Sequence, residues 1–158
     1  MNKQYSNDRK FGIFQEMDIL PTLKHCLSDQ TIIPLKERYS IFDFISQSQR
    51  LIIEIKCRRN HFAQYKTTMI GQNKILEAES FSMKGYNIFF FIKFIDGLYY
   101  FNYNKDWERI VLHKDFEISH SGTQRRGKDE RQKHAFIPIE TLKLVKNEES
   151  IIYTHNAL

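Results

Sequence analysis

No stretch constrains this chain more than Tyr86–Tyr103, YNIFFFIKFIDGLYYFNY. Lys93 and Asp96 interrupt it, so it is too polar for a membrane span. Its two runs, YNIFFFIKFI and LYYFNYN, are rich in aromatic and β-branched residues, the types that suit a pleated sheet. Between them stands Asp96-Gly97, a strong short-range hairpin signal. Strand alternation assigns Phe89, Phe90, Phe91, Phe94, Tyr99, Tyr100, Phe101 and Tyr103 to a core and one covered face, ahead of a base-stacking platform. The full 158 residues suffice to bury such a hairpin without disulfides or structural metals. One domain, 1–158, is the economical expectation, since no repeat, linker or composition break is visible.

Composition removes several function classes. Lys and Arg number 24 against 19 Asp and Glu, a net charge of +5 that points weakly to a polyanionic partner. Met1–Lys10 has no apolar run, so the expectation is an intracellular protein (cytoplasm or nucleoid/nucleus) that is neither secreted nor membrane-bound. Cys26 and Cys57 cannot make a disulfide framework or an all-cysteine zinc site. The six histidines are scattered without metal-ligand spacing. No Gly-rich phosphate loop, nucleophile elbow or dinucleotide fingerprint occurs, so no nucleotide cofactor is expected.

The remaining segments alternate between helix and strand periods. Residues 10–27 carry Ile13, Met17, Leu20, Leu23 and Leu27 at helical steps, with Pro21 set to kink or split the helix. Strand character follows over 31–46, then a polar turn, SQSQR, then the strand LIIEIKC at 51–57. The stripe Phe62, Tyr65, Met69, Leu76 predicts a second helix over 62–81, weakened by Gly71. Residues 107–118 are ambiguous. Residues 121–134 form a polar loop in which Arg125, Arg126, Lys128, Arg131 and Lys133 outnumber Asp129 and Glu130. Residues 135–145 read as strand or short helix. The order helix, three strands, helix, two strands predicts an α/β fold with a mixed central sheet flanked by helices.

Chemistry concentrates in IFDFISQSQRLIIEIKCRR, residues 41–59. Asp43 interrupts one apolar strand, and Glu54 and Lys56 share one face of the next. Charges on apolar strands are costly unless paired or metal-bound. Two carboxylates offer hard oxygen ligands suited to Mg²⁺ or Mn²⁺. A metal there would polarise a phosphodiester and acidify a bound water, with Lys56 orienting that water or offsetting transition-state charge. The bland alternative is a pair of surface strands with a weak Glu–Lys pair. Arg58 and Arg59 follow directly and could hold phosphates.

Asp43 followed after ten residues by Glu54-Ile55-Lys56 resembles the PD-(D/E)XK nuclease superfamily, which includes restriction endonucleases, Holliday junction resolvases and phage nucleases. The resemblance covers about residues 10–95. It implies a restriction-endonuclease-like α-β-β-β-α-β core and metal-dependent cleavage of DNA, structure-specific or site-specific. It further implies a metal set of Asp43, Glu54, Ile55 and Glu16, with Mg²⁺ as the cofactor and Mn²⁺ able to substitute. Asp43, Glu54, Lys56 and Gln72 would be catalytic. Lys74 is the second choice, after Gln72, for the polar active-site position. Apart from the resemblance, local basic charge makes Arg58, Arg59, Arg125, Arg126 and Lys128, with Lys74, the candidates for nucleic-acid contact, against the bland reading of solvated loops. The residue before Asp43 is Phe42 rather than Pro. A homodimer is implied because two strands must be cut. A non-catalytic nucleic-acid-binding module, an RNA-directed nuclease and an assembly protein with an aromatic interface remain as alternatives.

Overall fold

The computed structural model describes residues 18–36, 41–120, 133–147 and 149–153. The central hairpin forms as its composition dictates, from β5 (Asn87–Phe94) and β6 (Gly97–Asn102). Phe94 pairs with Gly97, so the two-residue loop is Ile95-Asp96 and Gly97 opens β6, one residue earlier than the Asp-Gly signal suggests. Neither loop residue has positive φ, so the turn is not the type I′ that Asp-Gly favours.

Around this hairpin lies a six-stranded mixed sheet in the order β1-β2-β3-β5-β6-β9. Its members are β1 (Ile33–Pro34), β2 (Phe44–Ser46), β3 (Leu51–Cys57) and β9 (Lys143–Leu144) beside β5 and β6. β3 runs parallel to β5, and every other pairing is antiparallel. A separate antiparallel sheet, β4-β8-β7, comprises β4 (Thr67–Gly71), β7 (Glu117–His120) and β8 (Lys133–Pro138). Helix α1 is described over residues 18–26 and continues through Pro21 without a break. α2 (Gln72–Met83) and α3 (Tyr103–Val111) complete the elements. The fold is α/β, a mixed sheet flanked by helices, and the order α1, β1, β2, β3, α2, β5 reproduces the expected core with β4 inserted before α2.

β5 is buried on both faces, and its alternate residues enter two separate clusters. Phe89 and Phe91 pack with Phe44, Ile53, Ile55 and the α1 residues Ile19 and Leu23. Phe90 and Ile92 pack with Ile52, with Ile75 and Ala78 of α2, and with Ile70 and Ile137 of the second sheet. Aromatic packing is dense, for example Phe90 stacked on Phe101 at 4.8 Å between centroids. The aromatic run is therefore core.

Three expectations need correction. The helix over 62–81 does not form as one element. Phe62–Gln64 is a single 3₁₀ turn, Thr67–Gly71 is strand β4, and helix begins only at Gln72. The buried residues there are Thr68 and Ile70, at strand spacing, whereas Tyr65, Met69 and Leu76 of the supposed stripe are exposed. Tyr103, read as strand, instead opens α3, because the Asn102 side chain accepts the Lys105 N–H as an N-cap. Strand character over 31–46 is confined to β1 and β2 among the described residues. The ambiguous residues 107–118 divide between the end of α3 and the start of β7.

α2 ends in a well-defined stop. Tyr86 N–H donates to the Phe81 carbonyl at 3.1 Å and Gly85 N–H to the Ser82 carbonyl at 3.0 Å, the Schellman pattern. Gly85 takes φ +88°, which glycine adopts without strain. The Phe81 and Tyr86 rings meet edge to face at 5.5 Å, closing the motif. The next residue, Asn87, starts β5 with its N–H on the Arg50 carbonyl at 2.8 Å. That bond aligns β5 with β3 from the first residue of each, Leu51 opposite Asn87.

Candidate active site

β3 carries the site because it sets a buried carboxylate, Glu54, and a lysine, Lys56, on one apolar strand. Glu54 is 1% exposed, on the same face as Ile52, which belongs to the cluster beneath α2. A carboxylate so buried needs compensation. Lys56, two residues on and on the same face, reaches Glu54 Oε1 at 2.6 Å. Lys74, from the first turn of α2, reaches Glu54 Oε2 at 3.1 Å. Both oxygens of Glu54 are thus engaged by ammonium groups. Lys74 Nζ also lies 5.7 Å from the centre of the Phe42 ring.

Asp43 comes to this site from the neighbouring strand. The β2–β3 ladder ends at Phe44 opposite Ile53. Asp43, one residue before β2, donates its N–H to the Ile53 carbonyl at 3.0 Å. Its Oδ2 accepts the Ile55 N–H at 2.7 Å. Asp43 therefore brackets Glu54, its main chain bonded to the residue before and its side chain to the residue after. Asp43, Glu54, Ile55 and Lys56 are brought together, Asp43 from the residue before β2 and the other three from β3.

The other candidates separate. Gln72 is half-buried as the first residue of α2, not inside a helical stripe as expected. Two residues later, Lys74 is the α2 side chain that touches Glu54. Arg58 leaves β3 and turns back into the protein, its Nε donating to Thr68 Oγ1 at 3.1 Å and its Nη2 to the Met69 carbonyl. Burial pushes its guanidinium pKa below the ordinary value. In this fold Arg58 fastens β4 to the end of β3. Arg59 is exposed beside it. Glu16, Arg125, Arg126 and Lys128 lie outside the described residues. Cys57 lies on the opposite face from Glu54, partly buried against the α1 cluster.

The donor set suits a small hard cation in two respects. Glu54 is a buried anion whose environment already calls for positive charge, and a second carboxylate stands on the adjoining strand. Ile55, being aliphatic, could add only its main-chain carbonyl. Among the described residues there is no cluster of three or more His, Cys, Asp or Glu side chains that could hold a metal. Two carboxylates with waters and substrate oxygens are nonetheless the usual complement for Mg²⁺.

A family model described as "Phage putative PDDEXK endonuclease" matches residues 23–145. The chain belongs to that family. The matched span runs from within α1 to just past β9 and contains Asp43, Glu54, Lys56 and Lys74. A search of curated proteins finds no match. Membership in a PDDEXK endonuclease family makes the chain a nuclease-type hydrolase. No helix among its described residues is long and apolar enough to cross a membrane.

The Asp43-to-Lys56 spacing was the signal that carried the resemblance. What that spacing could not reveal was the Lys74–Glu54 contact. It depends on β4 returning the chain to the site, at residues where the Phe62, Tyr65, Met69, Leu76 stripe predicts a helix.

Proposed function

We propose that this PDDEXK protein is a divalent-metal-dependent endonuclease acting on DNA. Asp43, Glu54 and the Ile55 carbonyl would hold Mg²⁺, with Mn²⁺ able to substitute. The observation that carries this reading is the bracketing of buried Glu54 by Asp43, with Lys56 on the same face at 2.6 Å. When bound, the metal would supply Lewis-acid polarisation of the scissile phosphate and a more acidic water.

The chain's own residues do the rest. Asp43 is oriented through its bond to the Ile55 N–H, so its second oxygen is aimed without rotamer searching. Lys56 stands on a rigid central strand, 31% exposed, and can turn from Glu54 towards a phosphate oxygen or an attacking water. There it opposes the charge that grows on the phosphate in the transition state. Gln72, at the start of α2, orients substrate or water from the helix side. Arg59, Arg125, Arg126 and Lys128 contribute phosphate contacts that fix register without reading bases. Glu16, outside the described residues, is a further candidate ligand. A second copy of the chain cuts the second strand.

The test is cleavage of supercoiled plasmid, linear duplex, single strands, flaps and four-way junctions in Mg²⁺, Mn²⁺ or EDTA. Metal-dependent cutting is expected, with Asp43→Asn and Lys56→Ala each lowering the rate by about a hundredfold or more. The preferred substrate then separates structure-specific from site-specific action. Tight, salt-sensitive binding without cutting on any substrate would replace the nuclease with a binding module.

A further inference from the structure

Lys74 is on the wrong end of its helix. With Gly71 as N-cap, it occupies the third helical position of α2, and the first turn contains no acidic residue. The amide groups there present partial positive charge, which favours anions and disfavours a lysine. Lys74 is nevertheless drawn inward, with its side chain only 19% exposed and its ammonium on Glu54. Glu54 is thus what holds this cation against the helix dipole.

Both oxygens of Glu54, a carboxylate that is 1% exposed, are taken by ammonium groups. A divalent cation that takes an oxygen of Glu54 must displace one of them. Lys56 is tied to Glu54 by its place on the same face of β3 and by the shorter contact, 2.6 Å against 3.1 Å. Lys74 holds the longer contact and comes from a different element, the first turn of α2.

We propose that Lys74 is a resident counter-ion that occupies Glu54 in the metal-free protein and is displaced when the divalent cation binds. It keeps a buried carboxylate satisfied while the metal is absent, and its departure is part of metal binding. This inference rests on the metal-site reading above, and deepens it.

The experiment is calorimetric titration of Mn²⁺ into metal-free wild type, Lys74→Met, Lys74→Arg and Asp43→Asn. Lys74→Met is expected to bind Mn²⁺ about tenfold more tightly, because no ammonium must first be moved, a gain of about 1.4 kcal/mol. Lys74→Arg, which keeps the charge, stays with the wild type. In EDTA, Lys74→Met melts below the wild type, and saturating Mn²⁺ narrows the gap. A wild-type measurement stands beside the variants. In protein carrying ¹³C-lysine, the Lys74 resonance, assigned by its loss in Lys74→Arg, shifts as Mg²⁺ is added. Unchanged or weaker Mn²⁺ affinity in folded Lys74→Met, or a Lys74 resonance indifferent to Mg²⁺, overturns the displacement while leaving the metal site intact. Absence of any Mn²⁺ binding that depends on Asp43 overturns both.

Discussion

Individual side chains in this protein are used in ways their type alone does not announce. Arg58 directly follows the candidate catalytic strand and has the charge of a phosphate ligand, yet its donors go to Thr68 and the Met69 carbonyl. Arg58→Met should therefore lower stability by about 1 kcal/mol, since it leaves the buried Thr68 hydroxyl without its donor. Thermal unfolding would show the loss, while the salt dependence of DNA binding stays the same. Cys26 illustrates burial acting on an acid. It is 2% exposed, and desolvation lifts its thiol from an ordinary 9.0 to about 11. The folded state holds the proton that the unfolded chain gives up. The stability this contributes is complete below pH 9.0 and is lost as pH rises from there through about 11. Denaturant titrations across that window should show stability falling with pH, and Cys26→Ala should flatten the fall.

At the scale of elements, α2 links the site to the sheet. Its first turn carries Lys74 to Glu54 and its last turn hands the chain to β5 through the Schellman stop. Gly85→Ala would put a Cβ at φ +88° and within 2.9 Å of Arg50 Nη1. A loss of about 1 kcal/mol or more is expected on thermal unfolding, since alanine is strained at positive φ. The start of the same helix shows where reading a sequence succeeds and where it stops. Glu54 and Lys56 stand out because an ion on an unbroken apolar strand is rare enough to notice in one dimension. Asp43 stands out for the same reason. The paired runs of β5 and β6 are legible because aromatic density and a nearby turn signal agree. Thr67–Gly71 is not, because Phe62, Tyr65, Met69 and Leu76 mimic a helical stripe while the residues that are buried, Thr68 and Ile70, follow strand spacing. Only pairing with β8, more than sixty residues later, reveals that strand. Lys74 is legible as the second choice for the polar active-site position, but its ion pair with Glu54 is not.

For the whole molecule, the basic surplus matters more than any one cation. A net charge of +5 over the chain, with Arg125, Arg126 and Lys128 in one segment, should give DNA affinity a steep dependence on salt. Replacing those three by alanine should reduce the slope of log K against log salt by about 0.9 for each phosphate contact removed. Fluorescence anisotropy on a labelled duplex, with metal omitted so that no cutting occurs, measures this. The parallel pairing of β3 with β5 has a consequence for biosynthesis. As the chain leaves the ribosome, Asp43, Glu54 and Lys56 emerge well before Asn87–Phe94, the strand that closes β3 from its other edge. A nascent chain that has only reached α2 cannot yet bury Glu54 between its neighbours. Under the proposed function, cleavage competence is expected only after β5 is released, and a chain truncated before Asn87 is expected to be inactive.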